Sequence, residues 1–349
     1  MSEASTPIPE DAPHVVTSAS CGTASLGMLL RARTAEISAL VEKYGAVLFR
    51  GFSVDAPSDF QDAVEALHAP AMRYTYRSTP RNNVDRDVFT ATEYPKSLEI
   101  PLHCENAYQR TWPLWVAFCC LKPAVLGGQT PIARMRTVTT ALPPALVDSF
   151  SRRRVRYIRH YRPFVDLPWQ TVFQTEDRSD VERYCFEHSI DYTWLDQETL
   201  RTEQVCQGVA QHPASGETIF FNQAHLFHPS ALEPKAMANL VEYFGADRLP
   251  RNATYGDGGE IAPSDLKLIR AAYSDAAIEI DWRKGDVALL DNMQFAHGRR
   301  AFEGDRQVLA SLLRSYSAPE GDGGGRLDAC AVSDRHDAGG AEHPVANRQ

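Results

Sequence analysis

The residues best suited to chemistry are His103 and Glu105, one cysteine apart in HCENAY (103–108). In an extended strand, side chains at i and i+2 project to the same side. The imidazole and carboxylate are then expected to converge on one metal ion, with Cys104 turned away into packing. A second histidine, His297, ends the run DNMQFAH (291–297). Two imidazoles and one carboxylate on one face of an octahedron suit Fe(II) and leave three positions open for other ligands and O2. An HxE pair standing alone also reads as a solvated carboxylate beside an ordinary histidine.

A second set of residues could bind an anion. Arg306 opens the apolar run RQVLASLL soon after His297. A guanidinium at the start of a barrel strand can hold a carboxylate through two parallel hydrogen bonds. Thr130, after the turn Gly127-Gly128, offers a hydroxyl to the same clamp. Taken singly, Arg306 also reads as a surface arginine beside Asp305, and Thr130 as a turn residue.

Secondary structure must bring these distant residues together. TAEISALVEKYG (34–45) has a helical apolar rhythm with a glycine stop, and AVLFRGF follows as a strand. A helix is expected over 59–68, with Phe60, Val64 and Leu67 on one face. The polar stretch 73–100 is a candidate lid. Residues 99–121 read as two strands flanking a polar corner. Residues 136–150 read as a helix broken at Pro143-Pro144, with Pro144 opening the second half. Residues 154–161 suggest a strand, and 178–188 and 264–277 suggest helices. IEIDW and DVALLDN read as strands joined by a tight turn at Lys284-Gly285. Residues 306–316 read as a last strand, although a helix also fits their periodicity. Short strands, glycine turns and a few helices predict a mainly β core, barrel or sandwich, with helical decoration.

Residues 1–24 read as a loose leading segment and 318–349 as a flexible tail. A single domain then spans 25–317, with insert regions around 73–100 and 151–270. Of the 349 residues, 43% are hydrophobic, enough for a sizeable core. The formal net charge of −9 argues against a general nucleic-acid binder. The seven cysteines show no CxxC pair, and the first residues lack the basic start and apolar stretch of a signal peptide. No apolar run approaches membrane-spanning length. The expected setting is cytoplasmic, with neither nucleic acid nor membrane as partner. Neither GxGxxG nor GxxxxGK[ST] is present, so a nucleotide fold has little support.

HCENAY, GGQT (127–130) and HGR followed by FEGDR (297–306) resemble the TauD/TfdA superfamily of Fe(II)/2-oxoglutarate-dependent dioxygenases. The likeness is strongest to the branch holding clavaminate synthase-like enzymes and the hydroxylase of syringomycin biosynthesis. GAVLFRGF (45–52), VRYIRHY (155–161) and FNQAHLFHPSAL (221–232) share it, so it covers roughly 35–316. The family commonly has HxD, and Glu105 is a variant that the clavaminate synthase branch also shows. The resemblance implies a double-stranded β-helix, or jelly roll. It implies that His103, Glu105 and His297 bind Fe(II), that Arg306 pairs with the distal carboxylate of 2-oxoglutarate, and that Thr130 assists. It implies hydroxylation of an unactivated C–H bond, with succinate and CO2 as co-products; epoxidation, desaturation or ring closure draws on the same centre. Halogenating relatives lack the carboxylate that Glu105 supplies. The taurine-oxidising member carries a sulfonate-binding arginine where this chain has Ala310, which argues against small sulfonates.

Other residues keep two readings. Asn106 and Tyr108 line the substrate side or pack a turn. Arg299 holds an acidic substrate group or is solvated. His225 and His228, three apart, suggest zinc only weakly and otherwise read as packing or substrate lining. SRRRVRYIRHYR (151–162) holds six arginines. On strand alternation Arg152, Arg154 and Arg156 share one face, and Arg153 and Arg159 the other. The strip either steers an anionic partner, the resemblance suggesting an acidic carrier protein that presents an amino acid, or makes internal salt bridges. Arg159 or Arg162 can instead reach a substrate carboxylate. The expected substrate is an amino acid or amino-acid-like intermediate, free or carrier-bound, in secondary metabolism such as antibiotic biosynthesis. Catabolic oxidation of another small anion and a non-catalytic cupin-like binding protein are the competing readings.

Overall fold

Strand Thr111–Lys122 is apolar on both faces because both faces are covered. Val116, Phe118 and Cys120 point into one core, and Ala117, Cys119 and Leu121 into another. In this computed structural model, which describes residues 11–72, 76, 83–91, 94–163, 165–317 and 326–327, that strand lies inside an eight-stranded sheet. Its neighbours are Val287–Asp291 and Gln307–Ser317, both antiparallel. Ala46–Arg50 and His14–Thr17 extend one side, and Val88–Thr90 and Asn83–Asp85 the other.

A four-stranded sheet faces it, in the order Ala277–Ile280, Thr130–Arg134, Phe295–Arg299, Ile100–His103. Ile132, Ile280 and Phe295 meet Leu48, Phe118, Leu290 and Val308 in the core between the sheets. Helices Thr34–Tyr44 and Pro57–Ala66 cover the outer face of the large sheet through Ile37, Val41, Phe60 and Val64. A further antiparallel sheet of Asp191–Trp194, Leu200–Cys206, Val155–Tyr161 and Arg251–Tyr255 fills the middle of the chain. The fold is mainly β with helical decoration, as expected, and its two facing sheets form a jelly roll without closing into a barrel.

Most expected elements are found, including the break at Pro143, where Pro144 is the first residue of helix Pro144–Arg153. Residues 307–317 are a strand, which removes the helical alternative. The expected turn at Lys284-Gly285 is found, with Gly285 at φ +83, and it carries the chain from Ala277–Ile280 in one sheet to Val287–Asp291 in the other. Two expectations change. The leading segment is ordered well before residue 24: His14–Thr17 pairs in parallel with Ala46–Arg50, since that edge needs a partner and Val16 can bury there. The basic run does not alternate from residue 152. Arg152 and Arg153 end a helix, and strand alternation begins only at Val155.

Parts of the 73–100 lid region, residues 1–10 and nearly all of the 318–349 tail lie outside the described residues. The six described cysteines form no disulfide. Among the described residues no helix is long and apolar enough to cross a membrane.

Candidate metal centre

His103 is the last residue of its strand and stands opposite His297 in the antiparallel ladder. Direct cross-strand partners have neighbouring side chains, and the two ring centroids are 4.7 Å apart. A Cβ on Gly298 would lie 2.5 Å from Ile100 O, so only glycine lets the strands approach this closely after His297. Glu105 arrives differently from the i, i+2 expectation. The strand ends at His103, and Glu105 sits in the following corner, where Asn106 takes a left-handed backbone at φ +57. The corner still swings its Oε2 to 3.6 Å from His297 Nε2.

The ligand atoms of His103, Glu105 and His297 all lie within 4.8 Å of one another. Glu105 and His297 are buried, and His103 is half-buried. His103 Nδ1 donates to Pro101 O at 2.8 Å, which makes Nε2 the unprotonated ring nitrogen. Phe118 meets the His297 ring edge-on, with centroids 5.0 Å apart. Cys104 is buried away from the cluster, and burial pushes its thiol far up. Two nitrogens and one carboxylate oxygen with an open side fit Fe(II).

The same pocket is lined by Ile100, Phe118, Thr130, Arg299, Arg306 and Val308. Arg306 Nε donates to Gly128 O at 3.0 Å. Burial pulls its guanidinium down to about 10, so it stays cationic at neutral pH. Gly128 has φ +73, and a Cβ there would meet Arg306 Cδ at 3.0 Å, so the GGQT glycine makes room for the arginine. Thr130 is buried, and its Oγ1 accepts from Trp282 Nε1 at 2.9 Å, leaving its own proton to donate to a ligand.

Arg299 is buried rather than solvated. It donates to Tyr94 O (3.0 Å), Pro95 O (2.7 Å) and Leu98 O (2.8 Å), bracing the segment 94–98. Among the described residues no carboxylate pairs with Arg299 or Arg306. A buried and a half-buried cation without a counter-charge suit an anionic keto acid.

The other expected substrate residues do not line this pocket. Asn106 is buried, and among the described residues neither end of its carboxamide has a hydrogen-bond partner. Tyr108 donates to Tyr76 O at 2.9 Å. Arg159 is buried, its guanidinium 4.7 Å from the Tyr161 ring centre and 5.3 Å from that of Tyr76. Arg162 lies over Phe244 at 4.9 Å. His225 and His228 are not a metal pair. His225 Nε2 meets Leu102 O at 3.1 Å, and His228 Nδ1 accepts from Ser230 N. Ala310 is buried between the sheets, so the sulfonate-binding arginine has no equivalent there. Sequence reading missed Phe118, Trp282 and Asn292, of which only Asn292, in DNMQ before His297, stood near a recognised motif.

A family model described as taurine catabolism dioxygenase TauD, TfdA family, matches residues 9–316. The chain is 38% identical over 308 residues to the dapdiamide synthesis protein DdaC of Enterobacter agglomerans, covering 88% of this chain and 93% of that protein. It is 28% identical over 289 residues to a clavaminate synthase-like protein of Arabidopsis thaliana, covering 80% and 84%. A solved asparagine oxygenase, in complex with Fe(II), 2S,3S-3-hydroxyasparagine and succinate, aligns with a TM-score of 0.51 at 14% identity. That alignment covers 82% of this chain and 79% of the other, a likeness of fold. A match of this extent admits one assignment: the chain belongs to the TauD/TfdA family, and it is a non-haem dioxygenase that uses Fe(II), 2-oxoglutarate and O2.

Proposed function

We propose that the enzyme hydroxylates an unactivated C–H bond of an amino acid or amino-acid-like intermediate on a biosynthetic route. In this reading His103, Glu105 and His297 hold Fe(II), and Arg306 and Thr130 hold 2-oxoglutarate. The observation that carries it is the ladder pairing of His103 with His297, which share a pocket with the half-buried, uncompensated Arg306, and the approach of Glu105 to 3.6 Å from His297.

When bound, the ferrous ion and 2-oxoglutarate supply with O2 the oxidising power, and the keto acid leaves as succinate and CO2. The protein's residues do the rest. His103, Glu105 and His297 would hold the ferrous ion through two imidazole nitrogens and one carboxylate oxygen. Arg306 receives the distal carboxylate, and the Thr130 hydroxyl donates to it. Phe118 and Val308 exclude water, which strengthens those charged contacts.

The amino-acid substrate is supported by the 38% identity to a protein named for dapdiamide synthesis. Arg152 pairs with Asp148, Arg153 with Asp257 and Arg156 with Glu203. These pairs engage much of the basic strip internally and favour a free small substrate over one presented by an acidic carrier.

The test is anaerobic loading with Fe(II) and 2-oxoglutarate, then O2 with a panel of free amino acids, their amides and carrier-tethered forms. Succinate formation coupled to a product heavier by one oxygen is expected for a free amino-acid derivative. Turnover confined to carrier-tethered substrates would overturn the free-substrate reading, and coupling only to unrelated anions would overturn the amino-acid reading. A folded protein without the visible charge-transfer band of the loaded centre would remove the metal assignment.

A further inference from the structure

The corner 104–110, which carries Glu105, lies off the sheet ladder, so its backbone polar groups need other partners. Three buried carboxamides supply them. Gln223 Nε2 donates to Cys104 O at 2.6 Å. Asn292 Oδ1 accepts from Glu105 N at 2.6 Å, and its Nδ2 donates to Glu105 O and Pro113 O, both at 2.9 Å. Gln207 Nε2 donates to Ala107 O at 2.9 Å and Gln109 O at 3.0 Å.

Asn292 imitates a neighbouring strand, offering Glu105 one acceptor and one donor as a backbone partner would. It is itself held firmly. Its own N–H donates to Leu114 O at 2.8 Å, and the preceding Asp291 carboxylate caps Met293 N at 2.9 Å and Gln294 N at 3.0 Å. The same turn leads directly into the strand that carries His297. One rigid turn therefore bears a histidine ligand and grips the backbone of the carboxylate ligand. The corner needs that grip, because the next residue, Asn106, is in the left-handed region and gains nothing from a ladder.

We propose that Asn292 and Gln223 are positioning residues that fix the approach of Glu105 to the metal. The inference rests on the reading of His103, Glu105 and His297 as the metal site. Gln223 belongs to the middle of the chain, so this contact also ties that insert to the metal corner.

The test is Mn(II) binding to the metal-free protein, followed by electron paramagnetic resonance, in Asn292→Asp and Gln223→Met. Asn292→Asp keeps the acceptor for Glu105 N but sets an oxygen against two carbonyls. Gln223→Met removes one donor at nearly constant volume. Gln61→Met, at a buried carboxamide bonded to Glu65, is the control for lost stability alone. Metal affinity is expected to fall about ten- to a hundredfold in Asn292→Asp and less in Gln223→Met, with an altered spectrum of bound Mn(II) in both. The control should keep wild-type affinity and spectrum. Wild-type Mn(II) affinity and spectrum in both positioning variants, with circular dichroism showing them folded, would overturn the proposal. Should Asn292→Asp fail to fold, Gln223→Met decides it by the same criterion. A wild-type protein that binds no Mn(II) removes the metal reading itself, a different result from equal binding by wild type and variants.

Discussion

His297 and His103 contribute imidazoles to the site but backbone to the ladder, and the two roles separate. His297→Ala is expected to abolish iron-dependent succinate formation while circular dichroism stays native, because the strand pairing does not use the ring. The loss of a buried ring should still lower stability by about 1–3 kcal/mol, measurable by thermal melting. Normal coupled turnover in that variant would refute the triad. Arg306→Ala removes the cation at the keto-acid end of the pocket. At least about a tenfold loss of 2-oxoglutarate affinity is expected in anaerobic titration, in line with truncation of one hydrogen-bonded charge partner. Gly128→Ala should produce a milder form of the same defect, since its Cβ would press on Arg306 and its φ is positive. Unchanged 2-oxoglutarate affinity in Gly128→Ala would show that the arginine tolerates the intrusion. These residues were legible in the sequence because their chemistry fixes their type and order. Arg299 was legible as a candidate, but its bracing role was not, because its partners are carbonyls of 94–98 that only the folded chain gathers.

Among the elements, the strands read well where burial alternates cleanly or covers both faces, as in Thr111–Lys122. The Glu105 corner read poorly, because strand periodicity says nothing about where a strand stops. The basic run reads poorly for a related reason: the end of one helix and the start of a strand share a single run of arginines. The short helix Ala224–Phe227 carries an element-level prediction. Its His225 is buried against Tyr273, and burial holds the imidazole at about 3, below its ordinary 6.5. At pH 7 both the folded and the unfolded state are neutral at this residue, so it adds no pH dependence there. Below about pH 6.5 the unfolded chain takes up a proton that the folded chain refuses, and stability falls by up to about 1.4 kcal/mol per pH unit. Denaturant midpoints between pH 7 and pH 5 should therefore drop more steeply in the wild type than in His225→Phe. Equal slopes would show that the ring is protonated in the folded state.

For the whole molecule, one continuous apolar cluster runs from Val16 to Tyr316 and takes in both the large sheet and the middle insert. We propose that 25–317 folds as one unit. Calorimetry should give a single transition whose calorimetric and van't Hoff enthalpies agree. Two resolved transitions would mean that the insert melts separately. The mainly β, two-sheet architecture was foreseeable from short strands and glycine turns. The early ordering of residues 14–17 was not, since it depends on an exposed sheet edge that forms only after the distant strands assemble.

The unpaired cysteines have a practical consequence. Burial holds the thiols of Cys120, Cys185 and Cys206 at about 11, 12 and 12, and pushes Cys104 and Cys119 higher still. None of these offers appreciable thiolate to an alkylating reagent at neutral pH. Of the described cysteines only Cys21 reaches the surface, beside Arg33 and outside the lining of the metal pocket. Within this part of the chain, a maleimide fluorophore would therefore settle at that outlying position and report tumbling without poisoning the iron.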